Sequence, residues 1–281
     1  MFLNDKKIDK KIDKKIDKKI ITENILFENV KYVYLSGSIM EGFGNETSDI
    51  DVYVVVDGSL EVKESEKFKG RSIINEDDHV INNFIHQGLR FDYEYITCEK
   101  WFQIIKKVEK LEIGNTGSAT LSSDEYDLLH RLKYANPILN KVNFLKIQDS
   151  IDFQKLDLYI ASVKSETYSN LLEDVEGALL SKDIKTAFIM TRLLIDETLN
   201  AFLAAFGETN PKNKWIFKKL SNYARNFNER DLVNTYMNLL IHPRDIKSDK
   251  DLISYIKEGI RFSQKLNMRT QNEILKQGSR S

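Results

Sequence analysis

Residues 49–56 read DIDVYVVV, an apolar, β-branched run of the kind a sheet buries, entered by two aspartates one residue apart. Side chains alternate along a strand, so Asp49 and Asp51 share one face while Ile50 points to the other. A second run, LRFDYEYIT at 89–97, alternates just as cleanly. Asp92 and Glu94 fall on one of its faces, and Phe91, Tyr93 and Tyr95 on the other. If the two strands pair, three or four carboxylates converge on one patch. Such a cluster repels itself, and some members would be protonated at neutral pH unless a cation joined them. A hard divalent ion with oxygen ligands is the economical remedy, and Mg²⁺ suits it. Two such ions would clamp the attacking and leaving oxygens of a phosphoryl displacement.

Upstream lies the pair Gly37-Ser38, between a short predicted strand, KYVYLS at 31–36, and SIMEGFG, which fits about two helical turns. Glycine lets a phosphate approach the backbone. Ser38 is placed to cap the helix and donate its hydroxyl, and free N–H groups at a helix start bind phosphate oxygens. From Ser38 to Asp49 the chain has room for a short helix, a turn (GNETS) and entry to the strand.

Residues 59–80 are polar and ambiguous. A helix is expected over 98–110, and GNTGSATLSS (114–123) reads as a loop. From Ser123 to about Lys276 nearly everything has helical period. The expected helices are 123–135, 150–180 with a break, 183–206, 211–226, 229–241 and 249–276. The fold class expected is therefore α+β, a small mixed-sheet domain followed by an all-helical bundle. The expected spans are a lead segment at 1–20, a catalytic domain at 21–118 and a helical acceptor-binding domain at 119–281.

With 41% apolar and 30% charged residues, the 281-residue chain has the composition of a globular protein. The formal net charge of -1 argues against a protein that tracks bulk nucleic acid. A single cysteine, Cys98, excludes a disulfide framework and fits a reducing, cytoplasmic setting. The four histidines show no zinc-ligand spacing, and His242, before Pro243, reads as a helix-end cap. No apolar run approaches a membrane span. Residues 5–20 repeat DKKI four times. Lacking an apolar h-region, the repeat is not read as a secretory signal. Its aspartates face aspartates at i,i+4, so the expectation is a solvated, partly helical lead, with an amphipathic contact as the alternative.

The combination of Gly37-Ser38, Asp49-x-Asp51 in a strand and an acid in a later strand resembles the nucleotidyltransferases of the DNA polymerase beta superfamily, over about residues 31–97. The resemblance implies that Asp49 and Asp51 bind two Mg²⁺ ions and that Gly37 and Ser38 hold nucleotide phosphates. A third carboxylate, Asp92 or Glu94, completes the metal site and helps activate an acceptor hydroxyl. Asp92 is favoured because its length matches the aspartate pair. The helical half is similar to that of aminoglycoside- and lincosamide-type enzymes, where it closes the cleft and shapes the acceptor pocket. By that resemblance Lys214, beside Trp215, reaches the triphosphate.

Arg90, two residues before Asp92, either offsets the acids or touches phosphate. His130 and Arg131 read as structural, and Arg192 with Asp196 as a surface pair. The function expected is Mg²⁺-dependent transfer of a nucleoside monophosphate, AMP from ATP or that of another NTP, to a hydroxyl of a small molecule. The homodimer is a state the sequence leaves open. The alternatives are AMP transfer to a protein, as in toxin–antitoxin systems, and a nucleotide sensor without turnover.

Overall fold

A computed structural model describes residues 18–62, 72–76, 79–114, 120–240 and 248–278. The DKKI repeat up to residue 17 and His242 lie outside the described residues. Contacts divide the chain into two compact units, 1–109 with 121–152, and 110–120 with 153–281.

The first unit is built on a six-stranded mixed sheet of order β3-β4-β5-β2-β1-β6. The strands are β1 (Val30–Ser36), β2 (Ile50–Val56), β3 (Ser72–Glu76), β4 (His79–His86), β5 (Leu89–Thr97) and β6 (Asn136–Leu139). β2 and β5 run parallel and are central, while the other neighbours are antiparallel. One face of the sheet is the core. Val33, Leu35, Ile50, Val52, Val54, Phe91, Tyr93 and Tyr95 are buried there together with Ile21 of α1 (Lys18–Glu23). The Tyr93 hydroxyl donates to the Ile21 carbonyl at 2.9 Å. Ile20, the last residue of the repeat, packs against this core.

On the opposite face, rings from the sheet meet two helices, α3 (Cys98–Lys110) and α5 (Lys141–Ser150). Tyr32 stacks on Trp101 of α3, and Tyr34 lies 4.9 Å from the Phe144 ring of α5 and 5.1 Å from that of Tyr53. These rings bury 150–250 Å² each in typical proteins, so they fix one end of this face. The other end carries the acids.

Three departures from the expected elements have physical reasons. β3 emerges from the stretch 59–80 that read as ambiguous, and β4 begins at its end. In HVINNFIH the buried positions are Val80, Asn82 and Phe84, and the polar Asn82 masks the alternation. The helix expected over SIMEGFG is the single turn α2 (Gly37–Met40), stopped where Gly42 adopts φ +75°. Finally, the sheet unit runs past the expected division near 115–122. After α4 (Ser123–Lys133) the chain returns to the sheet as β6, which pairs with β1, and then forms α5. β6 has four residues and includes Pro137, which suits a sheet edge and conceals the strand from a periodicity reading.

The second unit is helical: α6 (Phe153–Leu180), α7 (Ile184–Ala205), α8 (Ile216–Asn226), α9 (Arg230–Leu240) and α10 (Asp249–Gly278). The helix expected over 150–180 with a break is unbroken as α6, and the chain breaks only ahead of it, at Ile151–Asp152. Gly259 lets α10 approach α7, since a Cβ there would lie 2.4 Å from Thr191 Cγ2. Asp196, half-buried, accepts from the Tyr236 hydroxyl at 3.0 Å and also feels the charge of Arg192.

Arg269 on α10 donates to both Glu229 and the Tyr223 hydroxyl, at 2.8 and 2.7 Å, and lies over the Phe202 ring. The Arg269 hydrogen bond holds the Glu229 carboxyl below the usual glutamate range. A depressed carboxyl pKa contributes stability above its unfolded value and loses it as pH falls through the folded value. Arg269→Met is therefore expected to cost about 1–3 kcal/mol at pH 7 and to flatten the acid limb below pH 4.5. Thermal unfolding of the full chain from pH 7 to 3 reads both, and a variant with the same acid limb as the parent contradicts the assignment.

Candidate active site

The acids come together through sheet register. Ser36, Asp51 and Asp92 lie on successive partners across β1, β2 and β5, and Asn83 of β4 continues the row. Asp51 and Asp92 are thus side by side on neighbouring parallel strands. Asp49 stands one residue before β2, at its lip. Glu94 is one row deeper, opposite Tyr53.

Glu94 is heavily engaged. The Tyr53 hydroxyl donates to its Oε1 at 2.8 Å, and His79 Nε2 is 3.5 Å from Oε2. Burial pushes this carboxyl up, but His79, Arg131 and Tyr53 together outweigh it and hold it below the usual range. Asp92 has a different setting: burial raises its pKa against the pull of Arg90, whose Nε donates to Oδ1 at 2.8 Å. The same Nε lies 3.9 Å from Asp49 Oδ2.

Asp51 is the most perturbed of the acids. Burial, with Glu94 and Asp92 nearby, pushes it up to about 6 despite the opposing Arg131 guanidinium. Arg131 comes from α4, with Nη1 3.3 Å from Asp51 Oδ1, Nε donating to Asp127 Oδ2 at 3.0 Å, and the guanidinium carbon 5.4 Å from the Tyr53 ring centre. Its side chain is 15% exposed. Arg131 therefore belongs to the candidate site, although the sequence suggested a structural residue. Its i,i+4 spacing to Asp127 looks like an ordinary helix-surface pair, and no sequence signal ties it to Asp51. Its neighbour His130 is also buried, 3.2 Å from Glu41 Oε1.

Gly37 is required twice over. Its φ is +78°, and a Cβ there would lie 1.9 Å from Asp51 Oδ2. The turn thus rests directly against the Asp51 carboxylate. Ser38 falls inside the α2 turn and does not cap it. The cap position is Ser36, whose hydroxyl donates to the Arg131 carbonyl at 2.7 Å. The Ser38 carbonyl accepts from Phe43 N at 2.7 Å.

Lys214 sits in a short 3₁₀ turn, Asn213–Trp215, of the helical unit, with Nζ 5.2 Å from the Trp215 ring centre. A chain of side-chain amides anchors the turn: Asn210 Nδ2 donates to Asn200 Oδ1, and Asn200 Nδ2 to Asn213 Oδ1.

Among the described residues, no group of three or more His, Cys, Asp or Glu side chains is gathered closely enough to hold a metal ion. The donor chemistry of Asp49, Asp51 and Asp92 nevertheless fits Mg²⁺, because all three offer carboxylate oxygens at one end of one sheet face. The guanidinium of Arg90 now lies between two of them. A cavity of about 830 Å³ lies in the helical unit, lined by α9 and α10 residues such as Asp231, Leu239, Phe262 and Lys265, and includes none of these acids. No helix among the described residues is long and apolar enough to cross a membrane.

Residues 14–112 match the family model described as a nucleotidyltransferase domain. The matched span contains Gly37, Ser38 and the four acids, but neither Arg131 nor Lys214. No curated protein matches the chain. Among solved structures, a nucleotidyltransferase-like protein from Exiguobacterium sibiricum 255-15 is similar, with 9% identity and a TM-score of 0.45 over 92% of this chain and 78% of that one. Likeness at that level says nothing of activity.

Two outcomes follow from the geometry. Asp51 has a folded pKa raised from 3.8 to about 6, so the native state binds the extra proton and stability falls as pH rises through that window. Without divalent cations, Asp51→Asn is expected to be more stable than the parent above pH 6, by up to about 3 kcal/mol, and equal to it near pH 4. Denaturant unfolding at pH 4, 5, 6 and 7.5 tests this, and parallel pH profiles would contradict it. Gly37→Ala is expected to lose about 1–3 kcal/mol by collision with Asp51 and left-handed strain; an unchanged unfolding midpoint would refute the close approach.

Proposed function

From the match of residues 14–112 to a nucleotidyltransferase domain we propose that the chain is a transferase that moves a nucleoside monophosphate, AMP from ATP in the first instance, to a hydroxyl of a small molecule. The observation that carries this reading is the register of Asp51 with Asp92, closed on one side by the Gly37 turn.

In this reading Asp49, Asp51 and Asp92 would hold Mg²⁺, which supplies charge stabilisation to the phosphoryl oxygens when bound. Gly37 and Ser38 face the phosphates, the glycine by leaving room and the serine through its backbone N–H and hydroxyl. Asp92 accepts the proton of the acceptor hydroxyl. The freed oxygen attacks the α-phosphorus in line, the bond to the β-phosphate oxygen breaks, and pyrophosphate leaves. Glu94 is assigned to support: with both oxygens engaged by Tyr53 and His79, it orients Tyr53 beneath the site and is poorly placed to take a proton. Arg131 holds Asp51 from behind. Lys214 is the helical unit's candidate for the triphosphate, on the resemblance alone. The helices of the second unit favour a small acceptor bound by a dedicated domain, and the single cysteine, Cys98, suits a reducing, cytoplasmic setting.

The test is pyrophosphate release and product mass, using α-labelled ATP, CTP, GTP and UTP with Mg²⁺ and a panel of aminoglycosides, lincosamides and metabolites. Asp92→Asn is expected to lower kcat by about 10²–10⁴, whereas Glu94→Gln should retain most turnover. The Asp49→Asn, Asp51→Asn double variant should lose both nucleotide binding and turnover, and unchanged values there would sink the reading.

A further inference from the structure

Two guanidiniums face the candidate acids, and they are held in different ways. Arg131 is walled in by Asp127, Asp51 and the Tyr53 ring, and its backbone carbonyl is bound by Ser36. It cannot leave without unpacking α4 from the sheet.

Arg90 belongs to the opposite case. It rises from the start of β5, and its side chain is 51% exposed. Yet its Nε reaches carboxylates from two different strands, Asp92 Oδ1 at 2.8 Å and Asp49 Oδ2 at 3.9 Å. Exposed pairs of this kind are weak and exchange readily with water and ions.

We propose that Arg90 is a displaceable internal counter-ion: it spans Asp49 and Asp92 when no divalent cation is bound, and it competes with that cation for both carboxylates. The inference rests on the reading of these acids as the metal site. It accounts for the coexistence of a suitable donor set with the lack of a gathered metal cluster among the described residues. The apparent cation affinity is then the intrinsic affinity reduced by the fraction of molecules in which Arg90 has swung away. Release of the guanidinium also frees a planar, five-donor group beside the place where phosphate oxygens are proposed to sit.

The experiment measures Mn²⁺ binding without nucleotide, by the loss of the free Mn²⁺ electron-paramagnetic signal, on the full chain. Thermal unfolding with and without Mn²⁺ serves as a second readout. Arg90→Gln is expected to bind Mn²⁺ about three- to tenfold more tightly than the parent and to gain more in unfolding midpoint from it. Arg90→Lys keeps the charge and is expected to stay near the parent affinity. In an Asp92→Asn background the gain from Arg90→Gln should shrink or vanish, because one of the contested carboxylates is gone. Unchanged or weaker binding by Arg90→Gln, or equal tightening by the Lys and Gln variants, overturns the proposal while leaving the metal reading intact. Failure of parent and Arg90→Gln to bind Mn²⁺, with or without ATP, overturns both.

Discussion

Carboxylates on adjacent strands of one sheet cannot move apart. The register of β2 with β5 puts Asp51 beside Asp92, and the hydrogen-bond ladder holds them there at the strand spacing. Around this fixed repulsion much of the unit is arranged. Gly37 gives Asp51 room, Arg131 faces it from α4, Arg90 bridges Asp92 toward Asp49, and Tyr53 and His79 engage Glu94. Burial in the sheet, with Glu94 and Asp92 nearby, still pushes Asp51 up to about 6.

The supporting structure explains how an apolar sheet tolerates this. The buried face beneath β2 and β5 is aliphatic and aromatic, from Val33 to Tyr95. At the other end of the acid-bearing face, Tyr34, Tyr53, Trp101 and Phe144 pack as a ring cluster. The acids therefore occupy the open end of a face whose other end is closed by aromatic packing. The sheet supplies rigidity, which positions charge without a cost at each turnover.

Much of this was legible in the residues because alternation is a two-residue period that sequence displays directly. Asp49, Asp51, Asp92 and Glu94 could be placed on faces from the residues alone, whereas Gly37 read as room for a phosphate and in the structure makes room for the Asp51 carboxylate. What the residues did not display were relations set by long-range packing. Arg131 lies far along the chain from Asp51 and carries a local partner, Asp127, that explains it away. β4 was hidden by a buried asparagine and β6 by its brevity and its proline. The difference between Asp92 and Glu94 is likewise invisible in sequence, since both satisfy the same pattern. It appears only through their partners, an exposed arginine for one and a tyrosine with a histidine for the other.

The Asp51–Asp92 pair, backed by the Gly37 turn, is the proposed place for a nucleotide and its metal ions. A crystal structure with Mn²⁺ and a non-hydrolysable ATP analogue tests it most directly, through the anomalous signal of manganese. Manganese peaks ligated by Asp49, Asp51 and Asp92, triphosphate oxygens against Gly37 and Ser38, and Arg90 withdrawn from Asp49 are expected. Manganese or nucleotide bound elsewhere, as in the cavity lined by Asp231 and Phe262, with the acids still bridged by Arg90, would contradict it.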